Sequence, residues 1–525
     1  MLYCGISNKL EVYALARSQR VFKTTMLVTV VIILSKVSGF VRDMILANYF
    51  GTGLANDAYV SAYSLFYLPV LLFNSCISAT LIPLYVQERE QQSLRHSNHF
   101  ASNTINLFAL AALVISALFY LLAKPLVHLI YMGFDAEKAA LTAKLVRVML
   151  LSLMFNVTSI SLASLLNATD KFVAAQLTGF PLNLCVIGAA VIFSAKYGIM
   201  AVGWGVFTAN ILQCLILIPF LVGWFNWSPV LDFRDKRFHR LLTLAGPAML
   251  AMGVSELNHM IDHALASGLN PGDISAMSYA YRLVQFLQGV LLVPVTTIMF
   301  SRLSRLAAGK DIQGMLEVLR RSVLVIAMVI LPIIAIGAIL STDVIKFAYM
   351  RGAFNMDSVK VTAAILVFYV IGVLAFGLRD FMARMFHAMQ DTKTPFRVSC
   401  LVVATNVVLN LILRIFMGAN GLALATSIAG YTGTVALLIL LKKRFGSLGF
   451  GAILPEFIKI AAATLTAAAV CFAMNRFVPE VFGTGRVFIR LAICAGCGLI
   501  AYFAACLLLR IRTLRTFAAE ILRRR

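Results

Sequence analysis

The sequence predicts an all-α membrane protein that crosses the bilayer about fourteen times. Of its 525 residues, 61% are hydrophobic and only 13% are charged, whereas a soluble domain has about 25% charged residues. Apolar runs near the length of about 20 residues that spans a bilayer recur along the whole chain. They lie near residues 25–42, 57–86, 103–123, 140–166, 172–195, 198–224, 241–266, 276–301, 319–341, 359–388, 396–414, 418–441, 455–475 and 486–510. The second, fourth and tenth runs are long enough to tilt or bend.

Positive charge sets the predicted orientation. The formal net charge is +23, and it lies in short loops between apolar runs, so membrane lipids and topology explain it better than nucleic acid does. Lys and Arg gather in the even-numbered loops and near both termini, whereas the loop 267–273 has none. Both termini are therefore predicted to be cytoplasmic, which requires an even number of spans. Residues 1–24 are predicted to form a cytoplasmic leader, because no small-residue cleavage site follows the first apolar run.

Short motifs recur about 220 residues apart and predict an internal repeat. Gln390-Asp-Thr-Lys393 echoes Thr169-Asp-Lys171, and the motif that starts at Gly418 echoes the one at Gly198. Two copies of six spans share one topology, and substrate sites of such transporters lie at the repeat interface near mid-membrane. The predicted domains are an N-lobe at 25–224, a basic cytoplasmic linker at 225–240, a C-lobe at 241–441, a C-terminal helix pair at 455–510 and a basic tail at 511–525.

Charged residues stand inside several apolar runs. A cation at mid-membrane costs about 2.5–3.5 kcal/mol on insertion scales, so it normally faces a wet cavity or a partner. The candidate substrate-binding residues are Ser35, Lys36, Arg42, Asp57, Ser255, Arg282 and Gln285. Arginine matches phosphate bidentately and lysine acts as a point charge, so the set predicts an anion site suited to a diphosphate. The alternative is snorkelling or helix–helix pairing, with Arg42 on Asp43 and Arg282 on Glu256.

A second polar set is typical of a cation site. Asn406 and Asn410 are four residues apart in the eleventh span, Thr426 follows in the twelfth, and Asp262 lies in the seventh. Oxygen ligands with one carboxylate suit a hard monovalent cation. The alternative interpretation is hydrogen bonding between packed helices.

Motifs for enzymatic chemistry are absent from the sequence. It has no P-loop, no HExxH zinc motif and no Asp-rich cluster that could hold magnesium on a diphosphate. Most of the nine cysteines lie inside apolar runs, which favours a packing role. The chain is therefore predicted to be a transporter without a cofactor, driven by an ion gradient or the membrane potential. A drug or cation antiporter is the least favoured transporter, because its cavity should be acidic.

Several motifs together resemble a known family. They are Ser35-Lys-Val-Ser-Gly-Phe-Val-Arg-Asp43, Phe50-Gly-Thr-Gly53 with Asn56-Asp-Ala58, Ala245-Gly-Pro-Ala248, Tyr279-Ala-Tyr-Arg-Leu283, Arg351-Gly-Ala-Phe354 and Gln390-Asp-Thr-Lys-Thr-Pro395. With them the sequence resembles the MurJ (MviN) family of lipid II flippases, in the superfamily of multidrug, oligosaccharidyl-lipid and polysaccharide exporters. The resemblance implies fourteen helices in the bacterial inner membrane. Two six-helix lobes would form a V around a central cavity, and a last helix pair would make a groove for the lipid tail.

The resemblance also implies a function and functional residues. Proteins of this family move undecaprenyl-diphosphate-linked disaccharide pentapeptide outward by alternating access for peptidoglycan synthesis. Arg42, Asp57 and Arg282 match family positions that line the cavity. Lys36 stands where the family usually has arginine, and Gln285 stands where it has an acidic residue.

Two further positions depart from the family pattern. A basic residue is expected near Pro69-Val70, where this chain has none. Asp262, Asn406 and Thr426 resemble sodium ligands of the family, but Asn410 stands where a carboxylate is expected. Sodium, protons and the membrane potential therefore all remain candidates for coupling.

Three hypotheses follow from the sequence. The first is a lipid II flippase. The second is an exporter of another polyprenyl-diphosphate-linked oligosaccharide, prompted by the missing cation near Pro69. The third is a membrane scaffold that recruits peptidoglycan synthesis enzymes through its basic loops.

Overall fold

A computed structural model of the chain describes residues 2–479 and 483–514, with all their side chains except those of 2–22, 25, 244–256, 293–295, 297, 298 and 484. The described residues form nineteen α-helices and no strand, which confirms the predicted all-α fold class. The helices are α1 (Leu2–Phe50), α2 (Leu54–Gln91), α3 (Leu94–Leu121), α4 (Ala123–Ile130), α5 (Ala136–Leu150), α6 (Leu153–Ala168), α7 (Phe172–Gln176), α8 (Gly179–Tyr197), α9 (Met200–Leu215), α10 (Lys236–Ala266), α11 (Asp273–Leu287), α12 (Val293–Ala308), α13 (Ile312–Ile339), α14 (Ser341–Tyr349), α15 (Met356–Ala388), α16 (Lys393–Met417), α17 (Ala419–Phe445), α18 (Leu454–Phe477) and α19 (Thr484–Leu508).

Every predicted span coincides with one helix or with two consecutive helices. By length and composition, ten of the described helices can cross a membrane, and an eleventh span results if the bent pair α5–α6 counts as one. That pair covers the fourth predicted span and bends by 46°. The eighth span comprises α11 and α12, joined by a π-helical turn at Gln288–Leu292 just before Pro294. The chain is thus a multi-pass helical membrane protein.

The bend between α5 and α6 coincides with hydrogen bonds made by Ser152. The Ser152 hydroxyl donates to the Met149 carbonyl at 2.7 Å, which diverts that carbonyl from a regular helical bond. Asn210 of α9 in turn donates its Nδ2 to Ser152 Oγ at 2.7 Å. The second and tenth spans, also long enough to bend, are single helices, α2 and α15.

The backbone repeats at the predicted offset. Asp170 and Gln390 both have positive φ angles, 59° and 61°, and so do Gly198 and Gly418, at 55° and 57°. The same turn also recurs: the Lys171 amide donates to the Leu166 carbonyl at 2.8 Å, and the Asp391 amide donates to the Phe386 carbonyl at 2.9 Å. These pairs are 220 residues apart (391 − 171, 418 − 198). The internal repeat predicted from short motifs therefore extends to local conformation.

Two short helices that the sequence did not predict obey the same repeat. α4 begins at Ala123 and α14 at Ser341, 218 residues later. They follow the third and ninth spans. With 8 and 9 residues, both are far below the length of about 20 residues on which spans were predicted.

The chain folds into two compact units. The first comprises Met1–Tyr49, Ala58–Ile130 and Phe134–Glu256, and the second comprises Phe50–Asp57, Tyr131–Gly133 and Leu257–Arg525. The segment 50–57, which includes the first turn of α2, and the segment 131–133 before α5 thus belong to the second unit, although the chain on either side of them belongs to the first.

In the first unit, polar side chains of α3 hold the segment before α10. Asn98 Nδ2 donates to the Trp224 carbonyl at 3.0 Å. Asn103 exchanges two bonds with the backbone of Asp232, at 3.0 and 2.7 Å. Asn106 Nδ2 donates to the Ser228 carbonyl at 2.9 Å. Backbone groups of an irregular segment need such partners, and the polar stripe on α3 supplies them.

In the second unit, the C-terminal helices pack on α13. Ile460 and Ala463 of α18, Tyr502 of α19 and Leu324 and Met328 of α13 share one apolar cluster. The Tyr502 hydroxyl donates to the Met328 carbonyl at 2.8 Å, which satisfies the one polar group of a buried ring.

An ion pair ties the C-terminal helices to α14. Arg490 of α19 pairs with Asp343 of α14, and their side chains are only 6% and 4% exposed. The same guanidinium donates to Asn475 Oδ1 of α18 at 2.8 Å and to the Val478 carbonyl at 3.3 Å. A buried charge pair is tolerated when its remaining donors are also satisfied, as they are here.

Candidate functional site

The two predicted cations of α1 lie in different surroundings. Lys36 is exposed. Arg42 is partly buried, with 16% of its side chain exposed, and its Nε and Nη2 donate to Asp43 Oδ1 at 3.1 and 2.9 Å. The pairing that the sequence left open as an alternative is therefore present. The pairing with Asp43 uses only part of the hydrogen-bonding capacity of Arg42, because a guanidinium carries five N–H donors.

Ser35 lies at the contact between α1 and α8. Its carbonyl accepts from Asn183 Nδ2 at 3.1 Å, and the same nitrogen donates to Ser38 Oγ at 2.7 Å. A Cβ at Gly179 of α8 would collide with the Ser35 side chain, so the two helices approach closely there. Ser35 thus has a packing role, and its role toward a substrate stays a prediction.

Asp57 caps a helix of the second unit. It is fully buried, and its two carboxylate oxygens accept from the backbone amides of Gly272 and Ser275 at 2.7 and 2.8 Å, and also from the Ser275 hydroxyl. These amides lie at the first turn of α11, where unpaired donors and the helix dipole favour a negative charge. The geometry gives Asp57 a structural role. Its predicted role in substrate binding is not tested by this position.

The segment 50–57, which ends at Asp57 in the first turn of α2, makes further contacts within the second unit. Asn56 Nδ2 donates to the Tyr279 hydroxyl at 2.9 Å and to the Gly51 carbonyl at 2.8 Å. Gly51 has a φ of 55° and lies so close to the Ala353 carbonyl that a Cβ would clash with it. Only glycine suits both requirements.

Arg282 and Gln285 occupy α11. Arg282 is half-buried and its Nε donates to Ser278 Oγ at 3.3 Å, whereas Gln285 is exposed. The side chain of Ser255, and that of Glu256, which the alternative interpretation pairs with Arg282, lie outside the described side chains.

Aromatic rings link α10, α11 and α15 within the second unit. The ring centroids of His259 and Tyr281 are 4.6 Å apart. The ring of Tyr281 also contacts that of Tyr369 on α15, with the centroids 5.4 Å apart. The contact between Tyr281 and α15 joins residues more than eighty positions apart and has no local signal in the sequence.

The four predicted ion ligands do come together, inside the second unit. Asp262 is 2% exposed, Asn406 and Asn410 are 0% exposed, and Thr426 is 8% exposed. Asn410 Nδ2 donates to Asp262 Oδ1 at 2.6 Å, and Thr426 Oγ1 donates to Asp262 Oδ2 at 3.3 Å. With its amide turned so that nitrogen faces the carboxylate, Asn406 donates to Asp262 Oδ1 at 2.9 Å.

The cluster retains capacity for a cation. Asn410 Oδ1 is buried and has no hydrogen-bond partner in the described part of the chain. A buried acceptor beside a carboxylate is a group that a hard cation would satisfy. No group of three or more His, Cys, Asp or Glu among the described residues could hold a metal ion, so the candidate ligands are amide and hydroxyl oxygens with one carboxylate.

The position where the family pattern expects a further cation is apolar. Pro69 lines a groove of about 460 Å³ in the first unit together with Leu72, Phe73, Phe108 and Phe238, and none of the lining residues is basic. The departure noted in the sequence is therefore not compensated by a neighbouring Lys or Arg in this groove.

An internally repeated bundle of long apolar helices with buried polar clusters is typical of a multi-pass membrane transporter. The family model described as lipid II flippase MurJ matches residues 46–493, and the chain belongs to this family. A protein of Rhizobium tropici named probable lipid II flippase MurJ is 31% identical over 423 residues, which are 78% of this chain and 79% of that protein.

Solved structures agree. A structure titled lipid II flippase MurJ, inward closed conformation, aligns with a TM-score of 0.77 and 26% identity over 92% of this chain and 99% of that one. An inward-facing MATE-family multidrug transporter of the MOP superfamily aligns with a TM-score of 0.68 over 81% of this chain and 98% of that one, and at 10% identity this shows the fold alone. The family comprises lipid flippases, which are transporters and not enzymes, as the sequence predicted.

Proposed function

We propose that the chain translocates lipid II, the undecaprenyl-diphosphate-linked precursor of peptidoglycan, from the inner to the outer leaflet of the bacterial cytoplasmic membrane. The observation that carries this proposal is the match of the lipid II flippase MurJ model to residues 46–493. Both termini are on the cytoplasmic side in this proposal, because the basic loops then stay inside.

The diphosphate is recognised by Lys36, Arg42 and Arg282. Arg42 and Arg282 are partly buried, where a charge interacts more strongly with a phosphate than it does in bulk water. Each offers a planar fork of donors, whereas Lys36 offers a point charge. Gln285 and Ser255 are further candidates for binding the substrate.

The lipid tail lies along the C-terminal helix pair. Both helices expose large apolar side chains, among them Leu465 (71%) and Phe472 (62%) of α18 and Ile500 (71%) and Phe503 (51%) of α19. A polyprenyl chain matches such a surface without any polar contact.

The buried cluster around Asp262 couples transport to a monovalent cation, and the membrane potential supplies the driving force. Its oxygen atoms suit Na⁺, and its single carboxylate can alternatively carry a proton. The partnerless carbonyl of Asn410 supports cation binding.

The decisive experiment is complementation of a flippase-depleted strain combined with a cellular assay of lipid II accessibility at the outer leaflet. Lys36→Ala, Arg42→Ala and Arg282→Ala are expected to abolish growth while the proteins still insert. Lys360→Ala is the matched control, because Lys360 is 70% exposed and pairs with Asp357, which is 86% exposed. Normal growth with all three of these alanine variants would refute the charged-site mechanism.

A second candidate function is supported by the apolar groove at Pro69. With fewer cations than the family pattern, the chain would instead export another polyprenyl-diphosphate-linked oligosaccharide. It would then fail to complement the depleted strain but restore export of capsule or surface antigen.

A scaffold for peptidoglycan synthesis enzymes would lose function in charge-neutral loop variants. It would keep function in the Lys36→Ala, Arg42→Ala and Arg282→Ala variants.

A further inference from the structure

A polar cavity lies inside the first unit, and neither the sequence nor the comparisons assign it a role. Its volume is about 330 Å³, at the low end of roughly 300–1,000 Å³ for ligand pockets, which leaves room for a group such as a sugar ring. None of its lining residues is charged. Six lining side chains are carboxamides: Asn74, Asn156, Asn167, Gln176, Asn210 and Gln213.

Part of this lining is held in place by hydrogen bonds. Asn156 Nδ2 donates to Asn210 Oδ1 at 2.9 Å, and Gln213 Nε2 donates to the Thr178 carbonyl at 2.9 Å. Asn156 Oδ1, in contrast, is buried and has no hydrogen-bond partner among the described residues. A buried acceptor without a partner is costly, and a donor on a bound ligand would satisfy it.

Aromatic side chains form another wall of the cavity. Tyr63 and Tyr67 both line it, and their rings stack with centroids 6.0 Å apart and an interplanar angle of 12°. Aromatic faces offer an apolar surface to a ligand that also carries hydrogen-bonding groups. The lining thus suits a neutral ligand with amide or hydroxyl groups and an apolar face.

Arg42 belongs to the same unit as the residues that line the cavity. In the proposed function Arg42 binds the diphosphate, so the group that follows the diphosphate is the one left for a neutral cavity. A diphosphate itself does not suit the cavity, because no cation lines it to compensate the charge.

We propose that this cavity binds the neutral, N-acetylated sugar that follows the diphosphate of the lipid-linked substrate. The carboxamides complement both the N–H and the C=O of an acetamido group as well as the sugar hydroxyls. The proposal rests on the proposed function, since it takes the diphosphate at Arg42 as given. It makes Asn74 and Asn156 specificity-determining residues, because a site built to hydrogen-bond a ligand discriminates against an analogue that lacks the matching groups.

The test compares two probes on the purified full chain in nanodiscs: undecaprenyl diphosphate and undecaprenyl-diphosphate-N-acetylglucosamine. The wild type is expected to bind the sugar-bearing probe about tenfold more tightly, the equivalent of one or two net hydrogen bonds. Asn74→Leu and Asn156→Leu are expected to abolish this preference and to leave the affinity for undecaprenyl diphosphate unchanged. Arg42→Ala weakens the binding of both probes.

Controls separate the cavity from folding. Thr208→Val is a matched polar-to-apolar change on α9, which also carries Asn210; Thr208 is exposed, donates to the Trp204 carbonyl of its own helix, and should keep the preference. Asn156→Leu removes the bond to Asn210, so its fold is checked by thermal unfolding. Asn74→Leu provides the independent variant, because Asn74 is half-buried and bonds to the exposed Ser78 one turn away.

The outcomes distinguish this proposal from the proposed function. Equal affinity of the wild type for both probes, or a preference kept in the folded Asn74→Leu variant, overturns the cavity proposal and leaves lipid II translocation standing. Failure of the wild type to bind either probe or to complement the depleted strain overturns the proposed function, and the cavity proposal with it.

Discussion

Asp57 and Asp262 are both buried carboxylates of the second unit, but they have different kinds of partner. Asp57 accepts from backbone amides of a helix end, which cannot turn away without unfolding that helix. Asp262 accepts from the side chains of Asn410 and Thr426, which can rotate. A carboxylate held by rotatable groups can exchange them for an ion, whereas one held by backbone cannot. Asp57 is therefore suited to a structural role, and Asp262 is suited to reversible binding of an ion.

Replacing Asn410 by aspartate should strengthen cation binding. The Asn410→Asp variant removes an N–H donor that points at Asp262 and adds a second negative charge, which together favour a bound cation over an empty cluster. We expect the melting temperature of the purified chain to rise more in NaCl than in choline chloride, and by more than in the wild type. Asp262→Asn should abolish the sodium response.

The control for this measurement is Asp357→Asn. The Asp357 side chain is 86% exposed, so its loss should leave the sodium response unchanged. An Asn410→Asp variant that responds to sodium no more than the wild type does would rule out the cluster as the cation site.

At the scale of elements, long apolar helices are held in register by a few polar contacts. α19 meets α14 through the Arg490–Asp343 pair, and α3 holds the segment before α10 through Asn103 and its neighbours. The existence of the long apolar helices followed from hydropathy alone, because 20 apolar residues have few alternatives in a bilayer. The short helices α4 and α14 did not follow from it. The position of a helix break such as the one at Ser152 did not follow from hydropathy, because it depends on hydrogen bonds from other helices.

Breaking the Arg490–Asp343 pair should detach the C-terminal helices from α14. Arg490→Met leaves a buried carboxylate without its cation, and we expect a loss of about 3–5 kcal/mol in the free energy of unfolding. The double variant Arg490→Met, Asp343→Leu replaces the pair by apolar groups and should recover most of this loss. Denaturation of the full chain in detergent provides the measurement. Equal stability of the single variant and the wild type would contradict a stabilising pair.

The segment before α10 should loosen in acid. Burial by itself would raise the pKa of Asp235, but hydrogen bonds and the charge of Arg237 outweigh it and lower the pKa below the ordinary value of 3.8. A lowered folded-state pKa stabilises the fold above the ordinary value, and the contribution is lost as the pH falls through the lowered one. The difference in melting temperature between the wild type and Asp235→Asn should therefore be constant from about pH 7 to about pH 5 and shrink below about pH 4. A constant difference at all pH values would show that the charge of Asp235 is not responsible.

At the scale of the whole molecule, the repeat explains why features occur in pairs. The positive φ angles at Gly198 and Gly418, the turns at Asp170 and Gln390, and the helices α4 and α14 all recur at nearly one offset. If each copy has the six spans predicted from the sequence, both copies keep the same orientation, and the proposed topology places the basic loops of both on the same side.

This orientation can be tested with single cysteines in a variant without the nine native ones. Asn270→Cys, in the exposed loop before α11, should react with a membrane-impermeant maleimide added to spheroplasts. Gln92→Cys, between α2 and α3, should react only after the membrane is permeabilised. The reverse pattern would place the basic loops outside and invert the proposed topology.

The sequence by itself determined the fold class, the repeat and the family. Hydropathy and charge are summed over many residues, and family motifs such as Tyr279-Ala-Tyr-Arg-Leu283 are contiguous, so neither depends on distant contacts. It also predicted that Asp262, Asn406, Asn410 and Thr426 belong together, although only the tertiary structure showed them in contact.

Only the tertiary structure decided which polar residues are already engaged. In the sequence, Asp57 and Arg42 were equivalent candidates for binding a substrate. In the fold, Asp57 caps α11, which begins more than two hundred residues later, and Arg42 pairs with its sequence neighbour Asp43. The polar cavity beside Tyr63 draws on α2, α6 and α9, and no local pattern connects these helices. A side chain's role in a membrane depends on its partners, and the folded chain selects them.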